Sequence, residues 1–576
     1  MEFLKNYHEF LVCIGVLLLT LVIALLFHKL SSNKLSSSPE KTTKNVVAKN
    51  STTEFVTISL SIVTSFMSSI SILGPSQLIY KGINWYLIGL EYPLFTYLAY
   101  KFIIPKIYPY QSIFSVIRQF NQDGLTRSRI NHWTLKISEI IYFISILFYS
   151  AGVLFAPCTV LSRLLPATSF FGLLQDHSQK MTFCILLVGL STSIFVSLGN
   201  LRKIVYIDAV QITFIIGVQI FCMGLIYQSL SDKIDSEFLE SDSNQNLIQT
   251  IYNHTAVHLK FDQILSPNNF INFDQKNLTS NIPVYIIGGT LYTIGLCALS
   301  EGIVQRFHSA KNLKQAKNIS LICCFWLYVC LFVTCIYGNL ATYYYDVFQE
   351  TLSKTDQAAF KVLSLIDRAK QNNFITTTGL FSGAVLLASV TTLSTQILAL
   401  ENLTNKSTFF SIGNFEKSFK NSATKPMAVK FILGFCITAI AIAISANADN
   451  FDLLPLAVAI QSYGTAPVVC LLITYLFFGR NIKYHEDEKE DIELEELRIA
   501  EIQKNLNHSS TKYFNHSTVQ FAFLGTSFIS LILLVSDYIF DYQIFGVRIY
   551  FLLIYPLIVG IYLVLLLLIK VMQKNK

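Results

Sequence analysis

The stretch Ser65-Phe-Met-Ser-Ser-Ile-Ser-Ile-Leu-Gly74-Pro75 lies inside a long apolar run and carries several hydroxyl side chains ahead of a Gly-Pro pair. A second stretch, Ile287-Gly288-Gly289-Thr290, follows Pro283 in another apolar run, five runs further along the chain. For either stretch alone, the favoured interpretation would be close helix packing, which glycine also allows in membranes. Two interrupted runs in corresponding positions instead indicate a solute site, because broken helices free backbone carbonyl and amide groups. We therefore predict helix breaks at Gly74-Pro75 and at the glycine pair.

These two runs belong to a set of about thirteen that recurs along the whole chain. Of the 576 residues, 52% are apolar and only 14% are charged, which leaves little polar material for a surface in water. Runs of about 20 apolar residues can cross a bilayer, and these lack the alternation of β-barrel strands. The predicted fold is all-α and polytopic, with spans at 8–28, 53–82, 85–105, 134–158, 180–200, 206–227, 283–303, 317–337, 376–400, 427–447, 451–478, 518–540 and 545–570.

The loops between the spans predict the orientation. Lysine and arginine follow every odd-numbered span, and basic loops stay in the cytoplasm. The N-terminus is therefore predicted outside and the C-terminus inside. The loop at 228–282 then lies outside, where Asn253 and Asn277 head the sequons Asn-His-Thr and Asn-Leu-Thr and are predicted to carry glycans.

Four regions follow from this topology. Residues 1–52 hold the external N-terminal end, the first span and a basic cytoplasmic loop, and residues 53–478 form a transporter core of about ten helices. A charged cytoplasmic loop at 479–517 is followed by two last spans and a tail at 518–576.

Several functions lack support in the sequence. The eleven cysteines fall inside apolar runs, where they are expected to be small buried side chains, not disulfides or metal ligands. Basic residues alternate with apolar spans, which argues against a nucleic-acid partner. No Walker loop, HExxH or suitably placed GxSxG is present, so we predict neither an enzyme nor an organic cofactor.

Two ionisable residues lie at the edges of spans, where charge is costly unless it is paired or hydrated. Asp208 begins the sixth span, and Glu301 precedes Gln305-Arg306 near the end of the seventh. Both residues are candidates for interfacial or ion-paired groups, or alternatively for coupling or gating residues.

The motifs of the chain resemble those of the sodium:solute symporter family, in the branch of sodium/iodide, monocarboxylate and multivitamin cotransporters. The similar segments, in chain order, are Thr64-Ser-Phe-Met-Ser-Ser with Leu73-Gly-Pro, Ile79-Tyr-Lys-Gly, Leu154-Phe-Ala-Pro, Tyr206-Ile-Asp-Ala-Val-Gln, Gly288-Gly-Thr with Val304-Gln-Arg-Phe, and Phe381-Ser-Gly with Leu400-Glu-Asn-Leu. The resemblance implies a LeuT-type core of five plus five inverted-repeat helices in a plasma-membrane, sodium-coupled symporter of a small solute, an organic or inorganic anion.

The resemblance also implies site residues. The predicted solute-binding positions are Ser68, Ser71, Gly74, Phe155, Gly288, Gly289 and Thr290, with the two broken helices facing each other. The family's sodium site uses carbonyls on the first broken helix, here at Thr64 and Met67, and adds a small residue and two hydroxyls on the ninth span.

The chain departs from the family pattern on that ninth span. Ungapped alignment makes the small residue Gly383 and puts Leu386 and Leu387 at the hydroxyl positions, with Ser389 one turn away. The run Val390-Thr-Thr-Leu-Ser-Thr fits only after a shift of about one and a half turns, and Ser300-Glu301 replaces the usual Asn-Gln. The ungapped alignment predicts weak sodium dependence. It leaves open a second hypothesis, a sodium-independent or non-transporting sensor or leak conductance on the same scaffold.

Overall fold

The computed structural model describes residues 8–33, 51–81, 89–110, 112–122, 129–165, 176–198, 201–238, 284–310, 312–352, 358–369, 376–406, 425–446, 453–478, 516–534 and 551–574. Every regular element within these ranges is a helix. The first half of the chain contains α1 (His8–Asn33), α2 (Ser51–Phe66), α3 (Ser69–Tyr80), α4 (Tyr92–Leu98, continued by Ala99–Ile103 and Ile104–Ile107), α5 (Ile113–Gln122), α6 (Arg129–Leu164), α7 (His177–Leu198) and α8 (Leu201–Phe238).

The second half contains α9 (Val284–Gly289, continued by Thr290–Thr293 and Ile294–Ala298), α10 (Glu301–Phe307), α11 (Leu313–Val347), α12 (Ala358–Ala369), α13 (Thr377–Lys406), α14 (Lys425–Ser445), α15 (Leu453–Phe478), α16 (His516–Leu534) and α17 (Phe551–Lys574). Each predicted span overlaps one of these helices or a pair of them. Eight helices of the described ranges are individually long and apolar enough to cross a membrane. The prediction of an all-helical, polytopic membrane protein is confirmed.

Two further spans are broken helices, as the sequence predicts. Residues Phe55–Phe66 and Ser69–Tyr80 meet at an angle of 56°, and Val284–Leu296 and Glu301–Phe307 meet at 71°. Both broken spans begin a series of five, which is the arrangement expected of an inverted repeat.

The positions of the two breaks differ from the predicted ones. Gly74 lies inside α3 together with Pro75, and the chain breaks earlier, at Met67 and Ser68. The glycine pair lies in a π-helical turn of α9, and the second break follows roughly three turns later, at Leu299 and Ser300. The Gly-Pro and Gly-Gly pairs thus mark the broken spans but not the breaks. The first break lies where the Ser68 side chain caps the start of α3. The second lies at Ser300, which has an extended backbone and makes no side-chain capping bond.

Two described helices were not predicted as elements. The amphipathic α5 follows α4, and α12 lies between α11 and α13. The Asp367 carboxylate of α12 accepts hydrogen bonds from the amides and hydroxyls of Thr377 and Thr378, which caps the start of α13. In addition, α8 runs to Phe238, so the first part of the predicted loop at 228–282 is helical.

The centre of the fold is α13, whose most apolar 18-residue window is entirely buried. The first helix packs directly on it, because a Cβ atom on Gly383 would lie only 2.9 Å from Cβ of Val16. Nine of the cysteines that the structure describes are buried and Cys436 is half-buried, all as free thiols. Together, α13 and the broken span α2–α3 place a band of buried hydroxyl groups in the middle of the protein.

Candidate functional site

The first break, at Met67 and Ser68, is held by hydroxyl side chains. The Ser68 hydroxyl accepts a hydrogen bond from the Ser71 amide over 3.3 Å, and the Ser71 hydroxyl donates to the Phe66 carbonyl over 3.0 Å. Both serines therefore satisfy backbone groups that the break would otherwise leave unpaired. Met67 and Ser68 are 3% and 1% exposed, so the break is closed to solvent in this structure.

Two threonines of α13 face the backbone just before this break. Thr391 Oγ1 lies 3.5 Å from the carbonyl oxygen of Thr64, and Thr392 Oγ1 lies 3.4 Å from that of Ser65. The same hydroxyls lie 2.9 and 3.1 Å from the Ala388 carbonyl of their own helix. Each hydroxyl has one hydrogen, and the shorter distances favour donation to Ala388. Two carbonyls and two hydroxyl lone pairs then face each other, which is an arrangement that a cation would stabilise.

The ungapped alignment predicts four other α13 residues at a sodium site: Gly383, Leu386, Leu387 and Ser389. The structure puts Gly383 against Val16 of α1, and Ser389 donates to the Val153 carbonyl of α6 over 3.1 Å. Leu386 and Leu387 are fully buried side chains of the hydrophobic core. The hydroxyls that approach the first break come five residues later, at Thr391 and Thr392, after the shift of about one and a half turns.

Phe155, predicted at the solute site, is a buried residue of α6. It follows the Val153 carbonyl, which accepts from Ser69 of α3 over 3.2 Å as well as from Ser389. This part of α6 therefore packs against both α3 and α13 beside the first break.

The second break, at Leu299 and Ser300, leads into a buried carboxylate. The Glu301 amide donates to the Tyr142 hydroxyl of α6 over 2.9 Å. The Glu301 side chain is 0% exposed, and its carboxylate accepts hydrogen bonds from four donors on three elements. These are Ser112 Oγ at 2.9 Å, the Ile113 amide at 3.0 Å, Gln305 Nε2 at 3.4 Å and Asn402 Nδ2. Glu301 thus ties the start of α10 to α5 and to the end of α13.

The glycine pair of α9 faces a different neighbour from the one predicted. A Cβ atom on Gly289 would lie 3.0 Å from Cβ of Glu91, the residue that precedes α4. Thr290 Oγ1 lies 3.4 Å from the carbonyl oxygen of Glu91. Gly289 and Thr290 therefore pack on the start of α4, whereas Ser68 and Ser71 bind the backbone of their own break. Helix α9 continues beyond Gly288 and Gly289, so these residues lie well before the break at Leu299 and Ser300.

A fully buried ion pair lies next to the first break. Arg306 Nη2 and Asp208 Oδ2 are 2.9 Å apart, and both side chains are 1% exposed. Ser61 Oγ donates to the Asp208 carboxylate and accepts from Arg306 Nε, each over 2.8 Å. Arg306 also donates to Thr395 Oγ1 over 2.8 Å, and Thr64 Oγ1 lies 2.9 Å from the Asp208 carbonyl. The pair therefore joins α2, α8, α10 and α13.

The ion pair and the cluster of oxygens are continuous. Thr395 Oγ1 lies 3.1 Å from Ser65 Oγ, and the carbonyl of Ser65 is the one that Thr392 approaches. The sequence predicts Asp208 and Glu301 as candidates and offers Thr391, Thr392 and Thr395 only in the shifted alignment. It misses Ser61 and Arg306. Asn253 and Asn277 lie outside the described residues, so their glycosylation stays a prediction.

Comparison with known proteins gives a consistent result. The model of the sodium:solute symporter family matches residues 46–483. The chain is similar to the mouse (Mus musculus) sodium-coupled monocarboxylate transporter 2, with 23% identity over 46% of this chain and 36% of that protein. It is also similar to a putative sodium-dependent multivitamin transporter of Drosophila melanogaster, with 22% identity over 63% of this chain and 54% of that protein. The matched part thus spans only about a third to a half of these relatives.

Among solved structures, the chain is similar to a sodium-coupled sialic acid symporter in a substrate-bound, outward-open state. The TM-score is 0.64 at 14% sequence identity, and the match covers 97% of this chain and 96% of that one. This similarity shows that the fold is of the LeuT type.

Proposed function

The chain belongs to the sodium:solute symporter family, and we propose that it couples sodium entry to the uptake of a small solute by alternating access. The observation that carries this proposal is the approach of Thr391 and Thr392 to the carbonyls of Thr64 and Ser65. These four oxygens come from a broken helix and from the helix that packs against it. Movement of one helix relative to the other would open or close a cation site between them.

The spacing of these oxygens suits a hard cation. Such cations take oxygen ligands at about 2.3–2.6 Å, as calcium does, so two ligands at right angles lie roughly 3.3–3.7 Å apart. The distances of 3.5 and 3.4 Å from threonine hydroxyl to carbonyl fall in that range. The Met67 carbonyl, at the break itself, is the further ligand that the family resemblance implies. We therefore revise the expectation of weak sodium dependence, because Thr391 and Thr392 supply the hydroxyls that Leu386 and Leu387 lack.

The buried ion pair would act in coupling. The charges of Asp208 and Arg306 cancel in a dry environment, and the pair shares hydroxyls with the residues that flank the cation site. A cation that enters or leaves the four-oxygen cluster would change the field at Asp208 and the position of Thr395. This role extends the sequence-based prediction of Asp208 as a coupling residue and adds Arg306 to it.

Glu301 would anchor the second half of the seventh span. Its carboxylate accepts from four donors, an arrangement that suits the anionic form, which has only acceptors. Because the donors belong to α5, α10 and α13, movement of α10 against α13 would have to break some of these bonds. We propose Glu301 as a gating residue on that basis.

Replacing Glu301 tests this anchoring role. In Glu301→Ala, buried donors of Ser112, Ile113 and Asn402 lose their acceptor, at a cost of about 1–3 kcal/mol. Glu301→Gln keeps one acceptor oxygen and is expected to lie between Ala and the wild type. The measurement is the midpoint of thermal unfolding in detergent. Glu401→Ala is the control, because Glu401 pairs with Lys430 across 3.7 Å at a more exposed site. A shift no larger for Glu301→Ala than for the control would argue against the anchor.

The solute is proposed to be a small organic anion at the plasma membrane. The motifs that resemble the monocarboxylate and multivitamin branch support this class, as do the names of the similar relatives. The predicted positions Ser68 and Ser71 lie at the first break, and Phe155 lies in the neighbouring part of α6.

The test is a solute screen by radiotracer uptake in oocytes. We expect at least one small carboxylate to accumulate in sodium and not when choline replaces sodium. Uptake that is equal in sodium and choline would contradict sodium coupling. A solute-induced current without accumulation would favour the sensor or leak conductance.

A further inference from the structure

The last helix of the chain packs against the broken seventh span, and its residue Tyr555 contacts α9 just before the break. Tyr555, in α17, is 1% exposed, and its ring lies 5.9 Å from that of Tyr292 at an interplanar angle of 80°. A Cβ atom on Gly295 would lie only 2.3 Å from the Tyr555 hydroxyl oxygen. The backbone of α9 therefore rests directly on this hydroxyl, one turn before the break at Leu299. Tyr555 lies beyond residues 46–483, which the family model matches.

The same hydroxyl is bound to a second helix. Tyr555 Oη lies 2.6 Å from Thr465 Oγ1 of α15. The Thr465 hydroxyl is also 2.7 Å from the Gln461 carbonyl, which can only accept. Thr465 therefore donates to Gln461, and Tyr555 donates to Thr465. This bond fixes the position of the Tyr555 hydroxyl beneath Gly295.

Helix α17 makes a comparable bond without the broken span. The Tyr562 hydroxyl lies 3.0 Å from Thr474 Oγ1, again between α17 and α15. Both tyrosines are buried, and they lie two turns apart on the same helix. Both tyrosines attach α17 to α15, and Tyr555 also contacts Gly295 of α9. Tyr562 is therefore a control for the attachment alone.

The contact is present in an arrangement in which both breaks are closed to solvent. The residues of the two breaks are buried, with Ser68 and Leu299 each 1% exposed. The charge pattern of the loops predicts that α9 is the external half of its span. Opening the site to the outside requires α9 to move relative to the helices around it, and the Gly295–Tyr555 contact opposes that movement.

We propose that Tyr555 is a positioning residue that holds the external half of the seventh span closed, and that its release is part of outward opening. This inference rests on the alternating-access function proposed above. It assigns a role in the transport cycle to the C-terminal helix. Gly295 is the partner, because a side chain at that position would displace the Tyr555 hydroxyl.

The test measures access to the first break from outside. Ser71→Cys, at a half-buried position of that break, is labelled on intact cells with a membrane-impermeant methanethiosulfonate, and labelling of the parent protein without this cysteine is subtracted. Tyr555→Phe is expected to raise the labelling rate about three- to tenfold, as loss of one buried hydrogen bond implies. Tyr562→Phe is expected to leave the rate unchanged. The proposal would be overturned if Ser71→Cys were labelled at the same rate with Tyr555 and with Tyr555→Phe. It would also be overturned if both tyrosine variants raised the rate equally.

A second pair of variants examines the contact itself. Gly295→Ala is expected to raise the labelling rate in the presence of Tyr555 and to add little in a Tyr555→Ala background, because the two changes remove one contact. Independent, additive effects would contradict the proposal. Labelling needs no solute, so it separates this inference from the proposed function. One result would separate the two proposals. If replacing sodium by choline changed no labelling rate, but Tyr555→Phe still raised the rate, the sodium coupling would be wrong and the positioning role of Tyr555 would stand.

Discussion

Replacing Arg306 by methionine is expected to remove most of the folded protein from the cell surface. The change leaves Asp208 buried without its cation, and both side chains are 1% exposed in the wild type. Loss of one member of a buried ion pair costs about 3–5 kcal/mol, a large part of the usual stability of a folded protein. Surface biotinylation and the midpoint of thermal unfolding in detergent measure the loss.

The double variant Asp208→Asn with Arg306→Met tests the cause of that loss. Removing both charges relieves the unpaired carboxylate, and neutral replacements of buried pairs are often tolerated. We expect surface expression to recover in the double variant while sodium-dependent uptake does not, because the coupling role needs the charges. Lys361→Met serves as a control, since its partner Glu350 lies 3.6 Å away at an exposed site where ion pairs contribute little. Wild-type uptake in the double variant would mean that the pair is structural only.

The spans and the existence of two broken helices could be predicted from the sequence because both depend on composition along the chain. Hydropathy identifies a span without any tertiary information, and the pairs Gly74-Pro75 and Gly288-Gly289 mark the two spans that break. Single prolines do not, because they also lie inside the unbroken helices α6, α15 and α17. The exact breaks could not be predicted in this way. They lie at Ser68, which caps α3, and at Ser300, which has an extended backbone before Glu301. Those positions depend on capping bonds and on partners from distant helices.

Arg306 was missed for a related reason. An arginine at the end of a span usually indicates the cytoplasmic interface, and nothing local shows that Asp208, nearly a hundred residues earlier, pairs with it. One available signal was the spacing of hydroxyls. Ser61, Thr64, Ser65 and Ser68 follow the i, i+3, i+4, i+7 pattern of a single helix face.

A shorter stripe occurs on α13, where Thr395 lies four residues after Thr391 and three after Thr392. Two polar stripes on apolar helices indicate two faces that meet, which is how the structure pairs α2 with α13. An alignment based on motif letters counts residues along α13, but it does not show which of them lies level with the break between α2 and α3. It therefore favoured Leu386 and Leu387 over the threonines five residues later.

Changing Thr391 and Thr392 together to valine is expected to abolish sodium activation of uptake at physiological sodium. Valine keeps the shape of threonine and removes the hydroxyl oxygen. Loss of two oxygen ligands from a partly dehydrated cation should cost several kcal/mol, by analogy with buried polar groups that lose their partners. At roughly 1.4 kcal/mol per factor of ten, the sodium concentration for half-maximal uptake should rise about a hundredfold or more. The measurement is a sodium titration of uptake, normalised to surface expression.

Two comparisons make this result specific. Thr526→Val removes a buried hydroxyl of α16 that donates only to the Ala522 carbonyl of its own helix over 2.7 Å, and it should leave the sodium titration unchanged. Leu386→Ser with Leu387→Thr would restore hydroxyls at the positions of the ungapped alignment. Because both leucines are fully buried in the core, this double change should destabilise the protein without raising its sodium affinity. If it instead strengthened sodium activation while the valine variant behaved like the wild type, the cation would bind at the level of Leu386 and Leu387. The four-oxygen cluster at the first break would then be a packing contact between α2 and α13.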